Sequence, residues 1–352
     1  MMNEQFQVEK DFFRKKEFVS FVLSIFVIML HNQSAVNYKQ SESLNIINYW
    51  LSDSFVRIAV PLFFILSGFS FFRNYQVNLY KSKLHKRIKT LVVPYLLWNI
   101  IWMIFNMTIA YTPLTKFFIG REIAKVTVLN VFLGIFHYQY ASVNWYVFAL
   151  IVFFILAPLW DSLSKTRCSS ILSLFAIYLA FNQSGIEKLL GKFLFDYTSI
   201  IYFFVGVVIA KYCRKLFEKR YGIKQIIVAV GIFIVCLWIK GYVDLNNYKN
   251  TYLTTFLLIL AALMFWIAMD FFVVHIKPHN IYRHSFFIYE AHKDILSCVV
   301  KLVVLILPKA GLFYLITYFS STIITLAIIE LSISFLSKNA TYIYKCLSGN
   351  RG

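Results

Sequence analysis

The chain has 352 residues, of which 60% are hydrophobic and only 14% are charged, and its mean hydropathy is +0.68. A soluble globular chain is usually about 45–50% apolar and about 25% charged, so this composition excludes a water-soluble fold. The formal net charge of +19 does not indicate nucleic-acid binding, because the basic residues form short clusters between apolar runs. The 5 cysteines are scattered without a CxxC pair, which favours neither a metal site nor a disulfide framework.

Ten apolar runs are candidates for helices that cross a membrane. A bilayer core of roughly 30 Å needs about 20 helical residues, somewhat fewer where the segment is partly buried. The runs lie near residues 17–32, 55–73, 90–110, 143–160, 170–184, 197–212, 225–240, 252–274, 285–306 and 312–336. A shorter run at 126–136 predicts a re-entrant or interfacial helix. We therefore predict an all-α polytopic membrane bundle of about ten transmembrane helices, formed by residues 1–352 as a single domain without an appended soluble domain.

The loop charges predict the orientation of this bundle, because Lys and Arg concentrate in cytoplasmic loops. Three segments are rich in basic residues: the N-terminal segment, the loop after the second predicted helix and the loop after the sixth. The loops between them are poorer, with Lys39, Lys188, Lys192 and Lys309 as their basic residues. Both termini are therefore predicted to be cytoplasmic.

The first predicted helix ends in His31, Asn32 and Gln33. No small-residue cleavage site follows it, so we interpret it as a retained helix and not as a signal peptide. A histidine with an ordinary pKa of about 6.5 can serve as a neutral base near physiological pH. Spacing alone leaves two interpretations of His31 open, a catalytic group or a residue at a helix end that meets lipid headgroups.

Other costly polar residues lie in or beside predicted spans, where each is a functional hypothesis. Arg57 opens the second span, although an arginine there can also extend to the interface. Glu290, His292 and Asp294 lie together in the ninth span, where Glu290 and Asp294 share a helix face. The basic run at 81–89 has a plain explanation as a solvated loop, and it could equally bind a polyanionic cosubstrate through phosphate contacts.

An ordered series of segments resembles the membrane acyltransferase-3 family. After the helix that ends in His31, the series continues with residues 57–69 (RIAVPLFFILSGF), 86–98 (KRIKTLVVPYLLW), 144–150 (NWYVFAL) and 285–292 (SFFIYEAH). The resemblance covers nearly the whole chain. The second and third segments, at their distance from each other, are the most specific part. Many members carry Arg about ten residues before the histidine, where this chain has Ser20 and Phe21, with Lys15 and Lys16 as the nearest bases.

The resemblance implies an O-acyltransferase that takes an acyl group, most often acetyl, from cytoplasmic acyl-CoA and delivers it to a hydroxyl of a surface polysaccharide or glycolipid. It implies that His31 is the general base or a transiently acylated group, with Arg57 or Glu290 balancing charge on the carbonyl oxygen. Lys86 and Arg87 would bind the phosphates of coenzyme A. Asn144, Trp145 and His292 are the residues expected to contact the substrate.

The same resemblance implies a multi-pass protein of the bacterial inner membrane with acyl-CoA as cosubstrate and no tightly bound cofactor or metal. Its expected partners are the bilayer, acyl-CoA and a glycan acceptor, without nucleic acid. A separate extracytoplasmic transferase and the oligomeric state stay open. The main alternative is an exporter of a polysaccharide or small polar solute, in which the buried polar residues line a path. A polysaccharide polymerase or ligase is disfavoured, because those proteins usually have a large external loop.

Overall fold

The computed structural model describes residues 2–32, 42–113, 126–180, 196–246, 248, 250–307 and 313–351. Every regular element within these ranges is helical and none is a β-strand, which confirms the predicted all-α membrane bundle. The loop residues Lys39, Lys188, Lys192 and Lys309, and the predicted helix ends at 181–184 and 312, lie outside the described residues.

The helices follow one another along the chain with short connections. In order they are α1 (Met2–Asn32), α2 (Glu42–Tyr49), α3 (Ala59–Phe72), α4 (Tyr80–Arg87), α5 (Val93–Ala110), α6 (Val128–Phe136), α7 (Trp145–Ile155), α8 (Ala157–Leu163), α9 (Arg167–Ala180), α10 (Thr198–Tyr212), α11 (Arg214–Glu218), α12 (Ile223–Leu245), α13 (Thr251–Ala268), α14 (Asp270–His275), α15 (Ser285–Ile306), α16 (Phe313–Asn339) and α17 (Thr341–Ser348). A π-helical turn at Trp50–Phe55 and a 3₁₀ turn at Val56–Ile58 join α2 to α3 in one helical run.

Length and apolar composition identify five helical runs among the described residues that could cross a membrane. They are Ser43–Phe72, Val77–Ala110, Ile223–Leu245, Thr251–His275 and Phe313–Asn339. A bent pair, Ser142–Ile155 with Ala157–Leu163, would make a sixth. The remaining predicted spans fall on α9 and α10, which have only 14 and 15 residues, and on α1 and α15, which carry more charge. The count of ten therefore stays a prediction.

The predicted span at 143–160 is broken, because α7 and α8 meet at an angle of 66°. Pro158 occupies the first turn of α8. A proline has no backbone N–H, and its ring clashes with the carbonyl four residues earlier, so a regular helix cannot continue through it. At its other end, α7 begins directly after the buried Asn144.

Helices α3 and α10 form a close crossing with a glycine on each side. A Cβ atom on Gly68 would overlap the carbonyl oxygen of Phe203, and one on Gly206 would overlap the carbonyl oxygen of Ile65. Small residues at such a contact let two backbones approach closely in a membrane, where packing and not water exclusion holds helices together. This crossing fixes α3, whose residues line part of the site described below.

One stripe of α1 faces the interior of the bundle. Val19, Leu23 and Val27 are four residues apart, and all three are buried. Residues at this spacing share a helix face, and the next position in the series is His31. Along this stripe α1 packs against α15, α16 and α3.

Ion pairs hold the first half of α1 in place. Lys15 pairs with Asp270 at 2.8 Å and lies over the Trp266 ring, with its Nζ 4.2 Å from the ring centroid. Arg73, at the end of α3, pairs with Glu9 at 2.7 Å and also with Glu218. We call the end of the bundle that carries Arg73 and Lys16 the basic end. These contacts tie α1 to several helices. They therefore also help to fix the position of the other end of α1, which carries His31.

Candidate active site

Two histidines from opposite ends of the chain meet inside the bundle. His31 lies in the last turn of α1, and His292 lies in the second turn of α15. Their ring centroids are 5.1 Å apart, with 36° between the ring planes. His292 is fully buried, whereas His31 is partly exposed. The sequence analysis assigned these residues separately to catalysis and to substrate contact, and the structure places them side by side.

A hydrogen-bond anchor holds the end of α1 that carries His31. The amide nitrogen of Asn32 donates to the carbonyl oxygen of Tyr318 at 2.7 Å and to the hydroxyls of Ser321 and Thr322, each at 3.0 Å. Asn32 is fully buried, so its amide would be costly to leave unpaired. The anchor therefore fixes the last turn of α1 against α16, and the position of His31 with it.

The ring of His292 has one nitrogen engaged and one available. Nδ1 lies 2.6 Å from the carbonyl oxygen of Tyr289. A carbonyl oxygen only accepts, so Nδ1 carries a proton and donates it. Nε2 is buried and has no hydrogen-bond partner among the described residues. A ring held through Nδ1 with Nε2 open is the arrangement by which proteins fix the tautomer of a functional histidine.

A buried polar chain runs from Asn99 through Asn144 to Glu290. The amide of Asn144 stands between Asn99 and the Glu290 carboxyl group: in one orientation its nitrogen donates to Asn99 Oδ1 at 2.7 Å, and in the other to Glu290 Oε1 at 3.1 Å. Asn99 in turn donates to the carbonyl oxygen of Ile135 at 2.9 Å. Glu290, Asn144 and Asn99 are all fully buried. The carboxyl group of Glu290 is therefore held in one place, two residues before His292.

A cavity of about 480 Å³ opens between α1, α3, α7 and α15. This volume lies within the range of small-molecule sites, about 300–1,000 Å³. Its inner wall includes Phe63, Ser67, Tyr146 and Tyr289. The hydroxyl groups of Ser67 and Tyr146 are hydrogen-bonded at 3.0 Å. The wall thus combines aromatic surface with a few polar groups, as ligand sites commonly do.

The cavity ends beside the histidine pair. Tyr289 packs against Tyr146 with ring centroids 5.2 Å apart, and against His292 with centroids 5.9 Å apart. His292 lies three residues after Tyr289 on α15, which is a rise of about 4.5 Å. A molecule that filled the cavity would therefore reach the aromatic wall directly next to His292.

The outer part of the cavity is lined by cations. Lys16, Arg87, Arg283 and Arg351 all contribute to it. Arg283 has a carboxylate partner, Glu17, at 3.5 Å. Burial lowers the pKa of Arg351 to about 10, and the positive charge of Arg87 adds to this effect. At neutral pH Arg351 is still charged, so this region is strongly positive.

The other residues predicted for the site are more dispersed. Arg57 is half-exposed and forms an ion pair with Asp53, one helical turn away. Trp145 packs on Phe64 with ring centroids 5.8 Å apart at the start of α7. Lys86 is exposed and does not line the cavity, although its neighbour Arg87 does. Of the two predicted phosphate ligands, only Arg87 faces a space that a ligand could fill.

Several residues of the site were not anticipated from the sequence. Tyr289 and Tyr146 lie within segments that resemble the acyltransferase-3 family. The sequence therefore pointed to their part of the chain but not to these two residues. Asn99 and Arg351 lie in no such segment, and no pattern in the sequence marks them. Lys16 was noted only as a base near the position where many relatives have arginine, and Ser20, at that position, also lines the cavity.

The family model described as "Acyltransferase domain", that of the acyltransferase-3 family, matches residues 20–344. The chain belongs to this family. No curated protein and no solved structure matches the chain. The match extends from Ser20 on α1 to Tyr344 on α17, so the acyltransferase domain contains His31, His292 and the inner wall of the cavity.

The resemblance noted in the sequence is thus confirmed, and the protein is a membrane acyltransferase. An acyl transfer needs a base, a binding space for the donor and groups that balance charge on the reacting carbonyl. In this acyltransferase the histidine pair lies directly beyond Tyr289, which lines the cavity.

Proposed function

We propose that this acyltransferase moves an acyl group, in the first instance acetyl, from cytoplasmic acyl-CoA to a hydroxyl of a cell-surface polysaccharide or glycolipid. The observation that supports the proposal is the position of the His31 and His292 rings directly behind Tyr289, which lines the inner wall of a cavity whose outer part is cationic. Such a cavity suits a donor with a polyanionic head and an uncharged arm that ends in a thioester.

His31 would act as the general base. It takes the proton of the acceptor hydroxyl while the hydroxyl oxygen attacks the thioester carbonyl carbon. The carbon–sulfur bond then breaks, and the thiolate receives the proton from His31, so the products are an ester and free coenzyme A. A positioned histidine contributes about 10²- to 10⁴-fold to the rate of such a step. A transiently acylated His31 is the other route that the same geometry supports.

His292 and Glu290 would support this chemistry from α15. The ring of His292, held through Nδ1, has Nε2 available beside His31. Glu290, to which the Asn144 amide donates in one orientation, would contribute a buried carboxyl group from the same helix. Arg57, paired with Asp53, would act on the acceptor side only if that ion pair opened.

The proposed orientation puts the basic end in the cytoplasm and both termini on that side, in the bacterial inner membrane. The support is the gathering of Lys16, Arg73 and Arg87 at one end of the bundle, since basic residues concentrate on the cytoplasmic face. Acyl-CoA would then enter from the cytoplasm. The acceptor would reach His31 from the other face, near the end of α1.

The test compares surface glycans by mass spectrometry in cells with the wild-type gene, without it and with His31→Ala. We expect the acyl ester to be present only with the wild type, and the loss in His31→Ala to be at least about 100-fold. Membrane levels of the variant must equal those of the wild type. If His31→Ala retained the ester, the mechanism would be wrong. If loss of the gene stopped glycan export and left the ester in place, the export function would replace this proposal.

A further inference from the structure

Three cations around the cavity have no ion-pair partner among the described residues. In the part of the chain that the structure describes, no carboxylate lies within 4.0 Å of Lys16, Arg87 or Arg351, whereas Arg283 pairs with Glu17. The guanidinium of Arg87 lies over the Phe154 ring at 5.3 Å, and that of Arg351 over the Phe286 ring at 4.3 Å. Like charges gathered in a partly buried space repel one another, so such a cluster is stabilised by a bound anion.

Arg351 is placed in this cluster by a specific backbone turn. Gly349 ends α17 with a φ of +63°, in the left-handed region that favours glycine. A Cβ atom at this position would overlap the carbonyl oxygen of Thr90. The turn brings Arg351 back to the same carbonyl, to which its Nη2 donates at 3.5 Å. Of the five N–H donors of its guanidinium, the others are left for a ligand.

The three cations proposed to bind phosphate come from three separate parts of the chain. Ser20 lines the cavity and is uncharged, so Lys16 is the cation that α1 offers there. Arg87 comes from the end of α4, and Arg351 follows α17. A guanidinium binds phosphate in a bidentate way that an ammonium group cannot reproduce. Arg351 is therefore placed where it could supply the fork that α1 lacks.

We propose that Arg351, together with Arg87 and Lys16, binds the phosphate groups of the coenzyme A donor. This inference rests on the proposed function, because it takes acyl-CoA as the donor. Phosphates held at the cationic part of the cavity would direct the thioester arm along Ser67 and Tyr146 toward Tyr289, and so toward the histidine pair. The role of Arg351 is in binding and not in the chemical step.

The experiment measures binding of coenzyme A to the purified full chain by isothermal titration calorimetry, in nanodiscs of uncharged lipid. Pantetheine, which has no phosphate, is the second probe. We expect the wild type to bind coenzyme A far more tightly than pantetheine. Arg351→Gln should weaken coenzyme A binding at least about tenfold and leave pantetheine binding unchanged, because only the charged hydrogen bonds are lost. Lys345→Gln, which removes an exposed charge on α17, should bind as the wild type does.

A second variant tests the position of the guanidinium and not only its charge. Gly349→Ala keeps Arg351 but blocks the turn against Thr90, so it should also weaken coenzyme A binding several-fold. If Arg351→Gln does not yield a monodisperse protein, Lys16→Gln serves in its place with the same expected direction. Equal affinity of the wild type and the Gln variants for coenzyme A would overturn the assignment of this cluster and leave the acyltransferase proposal standing.

Two further results separate this inference from the function on which it rests. If the wild type binds no coenzyme A, acyl-CoA is not its donor, and the proposed function itself is wrong. If the cluster instead holds a lipid headgroup and not coenzyme A, Arg351→Gln should weaken the binding of anionic phosphatidylglycerol and leave coenzyme A binding unchanged. That outcome would reject coenzyme A phosphate as the resident ligand of the cluster.

Discussion

His31 and His292 face each other with ring centroids 5.1 Å apart, although they belong to helices at opposite ends of the chain. The contact depends on α1 packing along α15 and on the Asn32 anchor to α16. The surroundings of His31 are therefore set by a residue of another helix and not by its own segment alone. Mutations of either ring, or of the anchor, should therefore affect the same chemistry.

Replacing His292 tests whether the pair acts as a unit. In His292→Gln the ring that stands beside His31 is lost, and we expect kcat for acyl transfer to fall by about 10- to 100-fold while the affinity for coenzyme A stays within twofold. Rates from radiolabelled acetyl-CoA in proteoliposomes and binding by calorimetry provide both values. His85→Gln is the control, because His85 is exposed on α4. A His292→Gln enzyme with wild-type kcat would show that His31 works without it.

Lys86 and Arg87 are adjacent, and the structure separates their roles. Arg87 lines the cavity and Lys86 is exposed outside it. We expect Arg87→Gln to weaken coenzyme A binding at least about tenfold and Lys86→Gln to change it less than twofold, apart from a small screened contribution of its charge. Calorimetry at two salt concentrations measures both effects. Similar losses of coenzyme A affinity in the two variants would mean that the basic run at 81–89 binds through its overall charge and that Arg87 has no separate role.

The amide of Asn144 holds the buried carboxyl group of Glu290. Asn144→Leu keeps the approximate size of the side chain but leaves that carboxyl group without this partner, so we expect a loss of about 1–3 kcal/mol in stability. Acyl transfer should fall while coenzyme A binding is kept, since the amide does not line the cavity. Thermal unfolding in detergent and the transfer assay report the two effects. Unchanged unfolding would show that the Asn144 amide does not stabilise the buried carboxyl group.

Gly68 and Gly231 form a matched pair of glycines for testing the crossing of α3 and α10. In Gly68→Ala the new methyl group would overlap the backbone of Phe203, whereas nothing lies within 4 Å of a Cβ on Gly231. We expect Gly68→Ala to destabilise the protein by about 1–3 kcal/mol through overpacking. Gly231→Ala should be neutral or slightly stabilising, because alanine favours a helix. Thermal unfolding of both variants measures the difference, and equal midpoints would contradict the close crossing.

The fold class followed from composition and from the spacing of apolar runs, because a bilayer imposes a length on every helix that crosses it. Each predicted run falls on a helix wherever the structure describes it. The bend between α7 and α8 was not predicted, although Pro158 carried a local signal. The number of crossings was less predictable, since charged helices such as α1 and α15 depend on their neighbours for burial.

By itself the sequence determined an α-helical membrane fold, because its apolar runs have the length that a bilayer requires. Its motifs resembled the acyltransferase-3 family, and this resemblance made His31 the leading candidate. The four-residue stripe of Val19, Leu23 and Val27 even indicates the face of α1 on which His31 lies. Only the tertiary structure decided its partners. His292 and Arg351 reach their places through helix packing and a backbone turn, and contacts between distant segments leave no periodic trace in one sequence.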